Sequence, residues 1–125
     1  MNEQRNATRW NVVLPVRYKG ITTSKEGAAR TRDLSTQGVR LEMVERHNPG
    51  DRMDMLLEIP GSRSGSVCVE ADVVWQKAVA DLQEECNYLT GLVFSRIRDC
   101  HKQSILDYII DNHPDQHRQK WWDGL

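Results

Sequence analysis

Apolar and polar residues alternate along this chain as far as about residue 98, and there the period changes. The first alternating run opens at Trp10. Val12, Leu14, Val16 and Tyr18 fall on one face and Val13, Pro15, Arg17 and Lys19 on the other, which predicts a half-buried strand. Pro15 has no N–H to donate, so an edge or a bulge is expected there. Residues 20–27 read as a turn-rich connection, and residues 28–34 as a second strand with a weak apolar signal. Residues 35–38 predict a tight turn in which Gly38 takes a conformation that a Cβ would resist. Val39, Leu41 and Met43 mark a third strand, alternating with Arg40 and Glu42.

After the turn Asn48-Pro49-Gly50, a fourth strand carries Met53, Met55, Leu57 and Ile59 on one face. A loop over residues 60–65 leads to a long fifth strand, with Val67, Val69, Ala71, Val73 and Trp75 on its apolar face. Residues 78–85 are ambiguous and read as a hairpin connection. Residues 88–94 read as the sixth strand, in which Gly91 marks a bulge or a close approach. The period then becomes helical. Asp99 is the expected N-cap, Ile105, Leu106, Ile109 and Ile110 form the stripe, and the helix should end near Asn112, before Pro114.

Six short strands, each with one apolar face, followed by one amphipathic helix predict an all-β fold with a C-terminal helix. The natural closure is a small six-stranded antiparallel β-barrel plugged or flanked by the helix. Residues 1–9 are polar and aperiodic and read as a flexible arm, residues 10–112 as barrel plus helix, and residues 113–125 as a tail. That tail is polar apart from Trp121, Trp122 and Leu125. The tryptophan pair either packs back over the barrel or docks a partner.

At 125 residues the chain makes one domain. Its formal net charge of -1 provides no global field to attract nucleic acid or an anionic membrane. No apolar run approaches membrane-spanning length and the start does not resemble a signal peptide, so a soluble cytoplasmic protein without membrane insertion is expected. Cys68, Cys86 and Cys100 are odd in number and widely spaced, which predicts reduced thiols. His113 and His117 have the i,i+4 spacing of a metal pair, but Pro114 interrupts a regular helix and no third ligand is evident, so no metal is expected. No nucleophile–base–orienter set and no glycine-rich phosphate loop is visible, so neither catalysis nor a cofactor is expected.

Two polar patterns stand out. Arg5 and Arg9 form R-x-x-x-R just before the first strand, and Asp33, Ser35 and Gly38 form D-x-S-x-x-G between the second and third. With twelve arginines in the chain, the first spacing should occur roughly once by chance. With ten aspartates, seven serines and eight glycines, the second should occur only about 0.04 times, so it carries the weight.

These residues, with the strand segments Ala71-Asp72-Val73-Val74-Trp75 and Gly91-Leu92-Val93-Phe94, resemble the PilZ domain, a bacterial receptor module for cyclic di-GMP. The resemblance implies a six-stranded barrel with a C-terminal helix, in agreement with the pattern reading. It also implies the ligand: Arg5 and Arg9 would hold phosphates and guanine faces, and Asp33, Ser35 and Gly38 would line the barrel surface beneath a guanine. The resemblance also implies that the position before the first motif, here Gln4, influences whether one or two ligand molecules bind, and Gln4 leaves that number open. The tryptophan pair of the tail is not part of the family pattern.

The chemistry suits such a ligand. Guanine presents N7 and O6 to a planar arginine fork, which also stacks on a purine face. Asp33 can accept from guanine N1–H and N2–H₂, Ser35 can bond a phosphate or a base edge, and Gly38 leaves room for a flat base. Further contacts considered are Gln4, Arg40 and Trp75. For Trp75, core packing is the favoured reading and ligand contact the second; for Arg40, a solvated face is the plainer one. The expected function is a cyclic di-GMP receptor and adaptor whose arm orders on binding and which signals through an unidentified effector protein. A ligand-silent barrel acting as a protein-interaction module is the alternative. Nucleic-acid binding is disfavoured by the charge and the scarcity of stacking aromatics.

Overall fold

The computed structural model describes residues 9–61, 65–79 and 88–116. Six strands form in the order β1 (Pro15–Gly20), β2 (Glu26–Leu34), β3 (Gly38–Met43), β4 (Arg52–Glu58), β5 (Ser66–Ala78) and β6 (Tyr88–Ile97), followed by the helix α1 (Asp99–Asn112). They close into a barrel in the order β1-β2-β3-β6-β5-β4, with every neighbouring pair antiparallel. The alternation is reproduced in burial: Val16 and Tyr18, Val39, Leu41 and Met43, Met53, Met55 and Leu57, and Val67, Val69, Ala71 and Val73 fill the interior. Ile105 and Ile109 of α1, both fully buried, join this core and close the barrel at one end.

Several boundaries differ from the sequence expectation. The first strand begins at Pro15, not at Trp10, although burial alternates from Asn11 onward. The segment before it runs beside β2 by other means. Trp10 and Leu34 exchange backbone bonds of 2.8 and 2.9 Å. Leu14 N donates to the Thr31 hydroxyl at 2.9 Å, and that hydroxyl donates to the Val12 carbonyl. A side chain thus replaces part of the ladder, next to a register shift between Thr31 and Asp33. Pro15 is neither edge nor bulge but the first residue of β1, where its missing donor costs no rung. Strand β2 begins earlier than expected, at Glu26, and β6 runs on to Ile97.

Two local expectations are corrected. Asp99 is the first helical residue and not the cap; the cap is Arg98, in extended conformation, whose carbonyl accepts from His101 and Lys102 at 3.0 Å. Asp99 lies in the first turn, where a negative charge complements the helix dipole. Of the apolar stripe, Ile110 faces solvent, 44% exposed, because the barrel end accommodates only the Ile105–Ile109 edge and, partly, Leu106. The helix ends at Asn112 with His113 as its C-cap, before Pro114, as expected, and a short helical stretch follows over residues 114–116. Gly50, in the predicted turn, has φ +93°. Cys68 and Cys100 are free and exposed, whereas Cys86 lies outside the described residues, as does most of the hairpin connection expected over residues 78–85, whose first residue, Ala78, is instead the last of β5.

Candidate functional site

The turn between β2 and β3 is built by Ser35. Its hydroxyl accepts from Gln37 N at 3.1 Å and Gly38 N at 3.0 Å, and lies 3.3 Å from the Gly38 carbonyl. The Ser35 N–H donates to that same carbonyl at 2.9 Å. Ser35 is 2% exposed, so the side chain that the motif singles out is engaged in holding the turn. Gly38 does not have the unusual backbone conformation expected of it; only Gly50, Gly61 and Gly65 have positive φ among the described residues. It is required for a different reason. A Cβ there would lie 2.5 Å from the Leu92 carbonyl of β6. Phe94 N donates to Gln37 O at 2.8 Å and ties the turn to the same strand.

Register then assembles a row that the sequence does not display. Asp33 pairs with Arg40, Arg40 with Gly91, and Gly91 with Trp75, across β2, β3, β6 and β5. Directly paired residues project to the same side of a sheet. Arg40 alternates with the core residues Val39 and Leu41, so this side is the outside of the barrel. A second register shift, between Val73 and Trp75, takes Trp75 out of the interior face that carries Val67 to Val73. The favoured expectation of core packing for Trp75 is therefore overturned. Its indole instead covers Gly91, where a Cβ would lie 2.4 Å from Cε2 and Nε1. The close approach predicted at Gly91 is real, and Trp75 is what approaches.

The carboxyl group of Asp33, 3% exposed, stands at the end of this row between two arginines. Arg9 Nη1 donates to Oδ1 at 3.1 Å. Arg40 donates to Oδ2 from Nε at 2.6 Å and again from Nη2. The hydrogen bond to Asp33 raises the pKa of Arg40 further above its ordinary value and outweighs the opposing effect of burial. Arg9 is held less firmly, by one bond and with 48% of its side chain exposed. It reaches the site because the Trp10–Leu34 bridge fixes the chain beside the end of β2.

Together these groups form a cleft of about 310 Å³, lined by Arg9, Ser35, Gly38 and Arg40 on one side and Trp75 and Gly91 on the other. Gln37, Val74, Leu92 and Val93 also line it, and none of them was expected as a site residue, although the last three stand in the strand segments that carry the resemblance. Gln37 occupies an unspecified position inside the D-x-S-x-x-G spacing; the other three are ordinary strand residues whose placement depends on register. Arg5 and Gln4 lie outside the described residues, as do His117, Trp121 and Trp122. Among the described residues no group of His, Cys, Asp and Glu could hold a metal ion, and no helix is long and apolar enough to cross a membrane.

A family model of the PilZ domain matches residues 3–111. A search of curated proteins found no significant match. Among solved structures, the chain is similar to the Bacillus subtilis inhibitor of motility MotI/DgrA, with a TM-score of 0.71 and 19% identity over 91% of this chain and 53% of that one. It is also similar to the PilZ domain of Escherichia coli YcgR solved with cyclic di-GMP, with a TM-score of 0.64 and 17% identity over 94% and 97%. For the Klebsiella MrkH complex with cyclic di-GMP, the TM-score is 0.67 and the identity 12% over 95% and 57%. The chain thus spans about half the length of MotI/DgrA and MrkH. At these identities the likeness concerns the fold.

Proposed function

Because the chain belongs to the PilZ domain family, we propose that it is a cyclic di-GMP receptor that signals through a partner protein and breaks no bond. The observation that carries this reading is that Arg9 of the first motif meets Asp33 of the second, which Arg40 also bonds, beside a cleft walled by Trp75. The cleft offers guanidinium groups for phosphate and for guanine N7 and O6, and a flat aromatic edge against which a base can lie.

The unequal grip on Asp33 suggests the order of events. Arg9, half exposed and singly bonded, turns to the ligand, which releases Oδ1 for guanine N–H groups. Arg40, doubly bonded, remains as a fixed positive floor. Arg5 and Gln4 join from the arm, which becomes ordered as its arginines gain charge-assisted bonds. That ordering consumes several kcal/mol of the gross interaction energy, as suits a reversible sensor. Ser35 and Gly38 act by shaping the turn and admitting β6 to close range.

One observation favours the alternative of a ligand-silent interaction barrel: the Ser35 hydroxyl and both Asp33 oxygens already have protein partners. Calorimetric titration with cyclic di-GMP, with GTP and cyclic di-AMP as controls, decides between the readings. Micromolar or tighter binding that is lost in Arg9→Ala and Asp33→Ala supports the receptor. Equal binding of GTP reduces the site to generic phosphate capture, and absence of heat leaves the silent barrel.

A further inference from the structure

A second concave surface lies at the other end of the β5–β6 ribbon. It is a groove of about 590 Å³ over β1, β4, β5, β6 and the start of α1. Two rows of directly paired residues form its floor: Arg17–Leu56–Cys68, and Lys19–Asp54–Glu70–Arg96. Leu56 is 40% exposed at the centre, and Ile97 borders it. Arg98, the residue that caps α1, closes the helix side. On β6 the groove begins at Arg96, five residues beyond Gly91 of the cleft, roughly 16 Å along an extended strand.

Apart from Arg46, the described arginines elsewhere on the barrel are paired with carboxylates, whereas those around this groove are not. Arg9, Arg30, Arg32, Arg40 and Arg52 each face an Asp or Glu within 4.0 Å. Arg17, Lys19, Arg96 and Arg98 make no salt bridge among the described residues. Of the two carboxylates in the floor, Glu70 is already engaged by Arg52 at 4.0 Å and by the Ser95 hydroxyl at 3.4 Å. The groove is therefore an apolar centre ringed by unpaired cations, on a chain whose formal net charge is -1.

We propose that this groove docks a segment of a partner protein in which an apolar side chain is flanked by carboxylates. The apolar group covers Leu56 and Ile97 and sheds water from both surfaces. The carboxylates pair with Arg17, Arg96 and Arg98, whose forks favour bidentate geometry. A nucleic acid fits less well, because Asp54 and Glu70 interrupt any line of phosphates, and of the two rings that line the groove Tyr18 is buried and His101 is tied at 3.1 Å to the Cys68 carbonyl. This chain's own termini offer no acidic excess, since Glu3 stands against Arg5 and Arg9 before β1, and Asp115 and Asp123 balance Arg118 and Lys120 after α1. The proposal rests on the reading of the protein as an adaptor. It adds the partner's chemistry and places the output on the same two strands that carry Trp75 and Gly91.

The test is site-specific photo-cross-linking of the full chain in its native cells, followed by sequencing of the contacted segment. Leu56→p-benzoylphenylalanine is the probe, and Val13→p-benzoylphenylalanine, 70% exposed elsewhere, is the control. The expected result is a cross-link from position 56 alone to a partner segment rich in Asp and Glu around an apolar residue. It should fall at least ten-fold in the Arg17→Glu/Arg96→Glu background. As a synthetic peptide that segment should bind the purified chain, and its Asn/Gln counterpart should bind at least ten-fold more weakly. No cross-link, or one to nucleic acid, lipid, a second copy, this chain's own termini, or a neutral or basic segment, overturns the proposal. Cyclic di-GMP titration of the double variant keeps the two readings apart. The double variant should keep its nucleotide affinity; nucleotide binding without any cross-link from position 56 when Arg17 and Arg96 are unaltered defeats the groove alone, and a cross-link with no nucleotide binding to the unaltered chain defeats the receptor alone.

Discussion

Asp33 and its two arginines illustrate how one residue serves both fold and site. In Arg9→Ala the loss is one charge-assisted bond at a half-exposed position, so thermal stability should change by less than about 1 kcal/mol. Ligand affinity in the same variant should fall by roughly ten- to a hundred-fold if Arg9 bonds the ligand, as a lost charged hydrogen bond contributes about 1.5–3 kcal/mol. Calorimetry beside a melting curve reads both. Gly91→Ala should behave in the opposite manner. Its Cβ would lie 2.4 Å from the Trp75 indole, and displacing that ring should cost about 1–3 kcal/mol by chemical denaturation while deforming the cleft wall. A third residue, His47, is enclosed beside Tyr18, with ring centroids 5.4 Å apart. Burial and then Lys25 hold its pKa below the ordinary 6.5, with Asp51 and Glu45 opposing. The neutral form is thus favoured in the fold, and the unfolded chain takes up the proton first as pH falls. Stability should be undiminished above about pH 6.5 and decline below it. Melting curves between pH 7.5 and 5 should show that decline flattened in His47→Phe, and an equal slope in both proteins would remove His47 from the account.

At the scale of elements, the segment before β1 is the piece whose attachment is least like a strand. It carries Arg9 to the site and buries Trp10, Val12 and Leu14 in the core, yet its hydrogen bonds are the Trp10–Leu34 bridge, the Thr31 N–H to the Leu14 carbonyl, the Thr31 hydroxyl and one link to the other end of the chain. In that link the Gln116 side-chain amide accepts from Asn11 N at 2.9 Å and donates to Asn11 O at 3.1 Å, as a partner strand would. Thr31→Val preserves shape but leaves the Leu14 N–H and the Val12 carbonyl without that partner in a buried setting. At about 1–3 kcal/mol for each unsatisfied group, the variant should lose roughly 2–6 kcal/mol. Gln116→Ala touches exposed bonds and should cost little globally, while hydrogen exchange at Asn11 accelerates. Slow exchange there in Gln116→Ala would mean that the amide pair is incidental.

For the molecule as a whole, the barrel provides a rigid frame in which two surfaces share β5 and β6, one at Trp75 and Gly91 and one at Glu70 and Arg96. If the receptor reading holds, cyclic di-GMP at about 100 times its Kd should stabilise the fold by about 2.7 kcal/mol, a rise in Tm of roughly 10 °C. An unchanged melting temperature under those conditions would count against any specific site. Because Arg9 and Arg40 line the cleft and the ligand is anionic, the shift should shrink as salt is raised.

The fold was legible in the sequence because burial in a closed barrel imposes a strict period of two. Val39, Leu41 and Met43, or Met53, Met55 and Leu57, have no other way to face one interior, and the change of period at Ile105 and Ile109 announces the helix. The motif residues were legible as chemistry, since D-x-S-x-x-G is rarely accidental. Their division of labour was not. Ser35 proved to be the builder of a turn, Gly38 a point of contact with Leu92, and Arg40 a partner of Asp33. Trp75 was misplaced because a single register shift moves every later side chain to the other face, and shifts leave no mark in a pattern of two. Sequence by itself determined which residues are apolar, where the chain turns and which groups carry charge. Only the tertiary structure decided who stands beside whom, because cross-strand neighbours such as Asp33, Arg40, Gly91 and Trp75 are set by pairing between segments far apart in the chain.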